Sequence, residues 1–162
     1  MTKLAVMLLV GLSVGACGSD GGSAGTGGGG GAGGGGGAAG PATFTRVKTE
    51  ILAPSCALSS SCHKGTGKAG MALDVDPYKA LMGAAGTGKA ACEFPGMKIV
   101  VPGMPEQSLV YLKVTTPPAG APDAMCAGTS GKNERMPMSS DALEPARVAL
   151  LKDWIAAGAK ND

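Results

Sequence analysis

The sequence predicts an all-α domain of about four short helices joined by long loops. Three observations predict it. Apolar residues recur at helical spacing in four separate segments. Prolines, an aspartate and a glycine stand where those segments start and stop. No segment carries the sustained alternation of apolar and polar residues that a half-buried strand shows.

Ahead of the domain lies a leader. Lys3 supplies a positive start, and residues 4–16, LAVMLLVGLSVGA, form an apolar run. A membrane span needs roughly 20 such residues, so the run suits a secretory signal peptide over residues 1–16. It ends Val14-Gly15-Ala16-Cys17, which resembles the lipobox of bacterial lipoproteins. The resemblance implies that Cys17 is diacylated and becomes the N-terminus. The plainer reading is an ordinary signal peptide with a chance cysteine. Residues 17–40 are then a lipidated cysteine and a linker, since 15 of the 23 residues from 18 to 40 are glycine. Glycine loses the most backbone entropy on ordering and has no side chain to bury. A flexible chain of that length reaches about 26 Å, at roughly 5–6 Å times the square root of its residue number. The expected location is a bacterial cell envelope, lipid-anchored, facing the periplasm or the cell surface.

The domain is expected over residues 41–162. In ATFTRVKTEILA, residues 42–53, Phe44, Val47, Ile51 and Leu52 share one face of a helix that Pro54 should end. Asp76 is a plausible N-cap, and Pro77 suits the first position of a second helix with Tyr78, Leu81 and Met82 on one face. The apolar run KIVVPG, residues 98–103, reads as extended. PEQSLVYLKVT, residues 105–115, reads as a third helix with Leu109, Leu112 and Val110 inward. Residues 116–140 are rich in Pro, Gly and Ser and form a long loop, a kind that is usually functional or crosslinked. The last helix falls within residues 141–159, with Pro145 in its first turn, Gly158 just past its end, and Val148, Leu151, Trp154 and Ile155 at helical spacing.

Composition excludes several functions. The formal net charge is +2, the charges are interspersed, and five aromatic residues form no ladder, so nucleic-acid binding has no support. GAAGTGKA, residues 83–90, matches the start of a phosphate-binding loop, but Ala90 stands where Ser or Thr must hold magnesium. A structural zinc site wants closely spaced cysteine pairs, whereas five residues separate Cys56 from Cys62. A Cys–His nucleophile pair fares no better, because Cys62 and His63 are adjacent and no orienting partner is apparent. No acid–base pair stands out, and the chain is not expected to be an enzyme.

What remains is PSCALSSSCHKG, residues 54–65. With Cys17 set aside, Cys56, Cys62, Cys92 and Cys126 remain, and four cysteines allow three disulfide pairings. A haem c needs two thiols for its two vinyl groups and a histidine directly after the second. His63, the only histidine, follows Cys62. Far downstream, Met136 and Met138 stand in a polar loop, where core filling explains a methionine poorly.

The order of short motifs along the domain resembles the small cytochrome c domains of bacterial envelope proteins. The residues that carry this are Cys62-His63, Gly70, Leu73, Tyr78, Leu81, Val101-Pro102-Gly103, Pro105, Ser108-Leu109, Met136-Pro137, Leu143, Trp154-Ile155 and Gly158-Ala159. The resemblance implies an all-α cytochrome c-like fold, haem c as cofactor, His63 as proximal iron ligand and Met136 as distal ligand. It also implies electron transfer to an envelope redox partner, with the membrane met through the lipid anchor. The family attaches haem at CxxCH, and this chain has Cys56-x₅-Cys62-His63. Three outcomes follow. The loop bulges and both thiols hold haem; Cys62 alone holds it; or Cys56 pairs with Cys62 and Cys92 with Cys126 in a haem-free, disulfide-stabilised domain with a binding or structural role.

Overall fold

The computed structural model describes residues 40–65, 68–123, 125–126, 133–138 and 141–162. The expected signal peptide, Cys17 and the linker up to residue 39 lie outside them. Among the described residues the fold is all-α: helical elements of three to twelve residues, two isolated β-bridges and no strand. None of these helices is long and apolar enough to cross a membrane.

Helix α1, Phe44–Val47, starts where the Thr43 side chain accepts the Arg46 N–H at 3.3 Å. A second acceptor comes from far along the chain, since Asp162 Oδ1 takes the Phe44 N–H at 2.8 Å. The helix does not stop at Pro54, as the sequence led us to expect. Beyond α1 the winding widens into a π-helix, Lys48–Cys56, which contains Pro54. Proline has no N–H and its ring crowds the carbonyl one α-turn back. In the wider winding the bond after Pro54 spans five residues, from Ala57 N–H to the Leu52 carbonyl at 2.8 Å. Cys56 therefore closes a helix and does not stand free in a loop.

Helix α2, Pro77–Met82, has the Asp76 side chain accepting the Lys79 N–H at 3.0 Å. After it the chain folds back, with Gly88 N–H on the Met82 carbonyl at 3.0 Å and Lys89 N–H on the Leu81 carbonyl at 3.1 Å. Gly88 is needed there: its φ is +92°, and a Cβ would fall 1.9 Å from the Val100 carbonyl oxygen.

The third segment divides where one helix was expected. A 3₁₀ turn, Pro105–Gln107, is separated from α3, Leu109–Val114, by Ser108 in an extended conformation. Ser108 is fully buried; its hydroxyl accepts the Val101 N–H at 2.8 Å and donates to the Met104 carbonyl at 2.9 Å. A side chain holding two backbone groups there outweighs helix continuity. The inward positions of α3 are Leu109, Lys113 and Val114, with Leu112 only half-buried. Helix α4, Pro145–Ala156, buries Leu150, Leu151, Trp154 and Ile155.

The core joins α1, the π-helix, α2, α3 and α4. Phe44 stands edge-on to Tyr78 at 5.1 Å and lies 5.5 Å from Trp154. Each fully buried side chain of this size contributes about 1.5–3 kcal/mol. The polar tips are used too: Tyr78 donates to the Ala159 carbonyl and the Trp154 indole to that of Lys160. These bonds lock the C-terminal residues onto the core that carries the π-helix, and with it Cys56.

Candidate functional site

The segment after the π-helix is a closed loop. Its two ends meet where the His63 N–H donates to the Cys56 carbonyl at 3.0 Å. Inside it, the N–H groups of Cys62 and Lys64 both reach the Ser59 carbonyl, at 3.0 and 3.3 Å. The intervening residues bulge outward, and Leu58 is 60% exposed. The five-residue gap that sets this stretch apart from CxxCH is thus taken up without separating its ends. Downstream clamps fix the other side: Leu73 N–H on the His63 carbonyl at 2.7 Å and Lys68 N–H on that of Cys62 at 3.2 Å.

Three chemically active side chains sit on this frame. His63 is half-buried, with Nδ1 3.2 Å from the Lys68 carbonyl oxygen. A carbonyl only accepts, so Nδ1 carries the proton and the ring's lone pair is on Nε2. Burial lowers the His63 pKa, against the pull of the Lys68 and Met71 backbone, which favours the neutral, metal-ligating form. Cys56 packs against the hydrophobic core. Burial, with a smaller contribution from the Cys62 thiolate, pushes its thiol up to about 11. Cys62 stands toward the serine-rich face of the loop and accepts a hydrogen bond from Ser59 Oγ at 3.5 Å. Cys56 and Cys62 are both free thiols, whereas Cys92 and Cys126 are joined in a disulfide.

A second cluster adjoins the first. Lys113 Nζ is 3.1 Å from Glu93 Oε2, with only 8% and 16% of the two side chains exposed. Lys113 also donates to Asn133 Oδ1 at 3.3 Å and lies over the Phe94 ring. Both charges act on His63. The Met136 N–H donates to the main-chain carbonyl of Lys113 at 2.7 Å, and its side chain packs against the core. Met138 is 47% exposed, so Met136 is the methionine held inward. Next to it, one guanidinium nitrogen of Arg135, Nη1, is buried with no hydrogen-bond partner.

The structure thus brings Cys56, Cys62 and His63 onto one loop and ties the Met136 backbone to that of Lys113, whose charge acts on His63. Among the described residues no group of three or more His, Cys, Asp or Glu side chains is placed to hold a metal ion. Two open cavities, about 420 and 450 Å³, flank α2 and share Asp76, Lys79, Gly83 and Ala84; neither is lined by Cys56, Cys62, His63 or Met136.

Sequence reasoning missed Ser59, Lys68, Glu93 and Lys113. Ser59 and Lys68 act through contacts that depend on loop closure, which carries no residue pattern. Lys113 had a signal: it lies four residues after Leu109, on the face a helix buries.

The fold and site define an all-α, disulfide-crosslinked domain presenting a thiol pair beside a neutral imidazole. Compared with protein-family models, curated proteins and solved structures, the chain matches none.

Proposed function

We propose that the protein is a membrane-tethered electron carrier of the cytochrome c type. In this reading haem c is held by thioethers to Cys56 and Cys62, with His63 as one iron ligand and Met136 as the other. The observation that carries it is His63. With the Nδ1 proton given to the Lys68 carbonyl, the ring keeps its lone pair on Nε2, on a histidine directly after two unpaired thiols. A backbone acceptor on the far nitrogen is the usual way a ligating imidazole is oriented and made more basic.

The donors suit the group. Thioethers need reduced thiols, a ferrous or ferric iron accepts imidazole and thioether, and the unpartnered Arg135 nitrogen suits the carboxylates a haem carries. When bound, the haem iron supplies one-electron redox chemistry. The chain's own residues do the rest: Lys68 fixes the imidazole, the core behind Cys56 keeps water from one thiol, and the Glu93–Lys113 pair sets the local field. The lipid anchor and linker hold the domain at the cell envelope, where a redox partner protein exchanges the electron, and no catalysis is assigned to the chain.

The test is a haem stain, an absorption spectrum and an intact mass of the full chain made in a host that matures c-type cytochromes. The expected result is covalent haem and a low-spin spectrum that His63→Ala abolishes. A colourless, fully folded protein with both thiols unmodified refutes the reading.

A second reading keeps the scaffold without haem, in a binding or structural role at the envelope. It is favoured by the Cys92–Cys126 crosslink and by cavities that lie away from His63 and Met136. A colourless protein whose stability depends on that disulfide supports it.

A further inference from the structure

The thiol pair is asymmetric, and its asymmetry has a chemical direction. Cys56 ends the π-helix and packs against the core beside Ala57. Cys62 is not part of that core; it takes the Ser59 hydroxyl as a hydrogen-bond donor on a loop whose neighbours Ser60, Ser61 and Lys64 are exposed. The His63–Cys56 backbone bond keeps the two ends of the loop together. Both cysteines are partly exposed, but the Cys56 side chain is packed on the core, while that of Cys62 stands off it with a hydroxyl donor.

From this we infer that Cys56 and Cys62 form a redox-active dithiol, in which Cys62 attacks an external disulfide and Cys56 resolves the product into an internal Cys56–Cys62 disulfide. The reactant is a small or peptide disulfide, RS–SR, as found in oxidising extracellular compartments. In the first step the Cys62 thiolate attacks one sulfur; a Cys62–SR bond forms, the S–S bond breaks, and RS⁻ leaves with the electron pair and takes a proton from water. In the second step Cys56 gives its proton to water and its sulfur attacks Cys62 Sγ. The second RS⁻ leaves and is protonated. Two thiols of the protein are oxidised and one disulfide is reduced to two thiols. Cys62 follows two exposed serines, and the packing of Cys56 against the core makes a direct attack on it from outside slower.

This goes beyond the electron-transfer reading and concerns the chain before any thioether forms. Carrying it out on haem-free protein keeps the two separable: a failed exchange leaves the haem stain to decide the other reading, and the reverse. The experiment uses the full chain in detergent with Cys17→Ser, treated with glutathione disulfide, quenched with an alkylating agent and mapped by peptide mass. The expected course is a transient glutathione adduct on Cys62, then an internal disulfide and loss of both free thiols, with Cys92–Cys126 intact. In Cys56→Ser the adduct on Cys62 should persist; in Cys62→Ser, reaction at Cys56 should be at least tenfold slower than the wild-type reaction at Cys62. Circular dichroism confirms that each variant is folded. Equal rates at the two thiols, or an adduct that never resolves in the wild type, would overturn the assignment.

Discussion

Lys113→Met tests the cluster that joins the two halves of the site. The wild-type ammonium lies 3.1 Å from Glu93 and 3.3 Å from Asn133, over the Phe94 ring, with 8% of its side chain exposed. At an effective dielectric constant near 20 the attraction at that distance is about 5 kcal/mol before desolvation. Desolvating both ions removes most of it, so the pair adds little net stability; breaking it is another matter. Methionine fills the stem's volume but leaves Glu93, only 16% exposed, without its cation. The expected cost is about 3–5 kcal/mol. Replacing both, as Glu93→Leu with Lys113→Met, should return stability to within about 1 kcal/mol of the wild type, since no charge is then stranded. Urea unfolding of the haem-free protein reads this through Trp154, the only tryptophan, 1% exposed. At a slope of about 1–3 kcal/mol/M the single variant's midpoint should fall by about 2 M. A single-variant cost below about 1 kcal/mol, or a double variant as damaged as the two singles combined, refutes the reasoning.

Two further outcomes follow from the same contacts. Gly88→Ala should cost more than about 2 kcal/mol, because the new Cβ meets the Val100 carbonyl oxygen at a residue with φ +92°; a melting temperature unchanged within error would contradict it. In haem-free protein, burial holds His63 below its ordinary value, with Glu93 raising it and Lys113 lowering it as the charged groups nearby. The unfolded chain then binds the proton more readily in the interval just below pH 6.5, so stability falls as pH drops through that interval and rises as pH climbs back. His63→Gln should flatten that slope in chemical unfolding at a series of pH values, and an equally steep slope in the variant would count against it.

Much of the fold was legible because short helices announce their ends. Asp76 and Pro77 mark the start of α2, and Pro145 and Gly158 bracket α4, each through a backbone requirement local to the residue. The misreadings share a cause: a local rule was outvoted by contacts from elsewhere. Pro54 should have ended the first helix, yet Ile51 and Leu52 are held in the core and the chain stays wound, in a wider π register, past a residue with no N–H to give. Ser108 looked like one residue of a helix, yet its hydroxyl serves Val101 and Met104. Of the candidate site, Cys62, His63 and the methionine loop could be singled out from the sequence as chemically notable. Their setting could not. The Lys68 carbonyl that fixes the imidazole and the Glu93–Lys113 pair beside it belong to residues whose names carry no such meaning alone.

The spacing of Cys56 and Cys62 gains its sense from the π-helix. In an α-helix ended at Pro54, Cys56 would belong to a flexible loop and nothing would bring it back to residue 63. Winding on through Pro54 carries Cys56 onto the core and leaves its carbonyl without a continuing helical partner. The His63 N–H takes that carbonyl, and the same bond sets the start of the imidazole's own segment. One hydrogen bond thereby does for a seven-residue step what a short helical turn does for a four-residue one. Substituting Pro54 by Ala tests the dependence: a regular α-helical end should shift the Cys56 carbonyl, loosen the loop and make both thiols react with alkylating agents at similar rates. If Pro54→Ala keeps Cys62 much faster than Cys56, the asymmetry originates in the loop and not in the helix that feeds it.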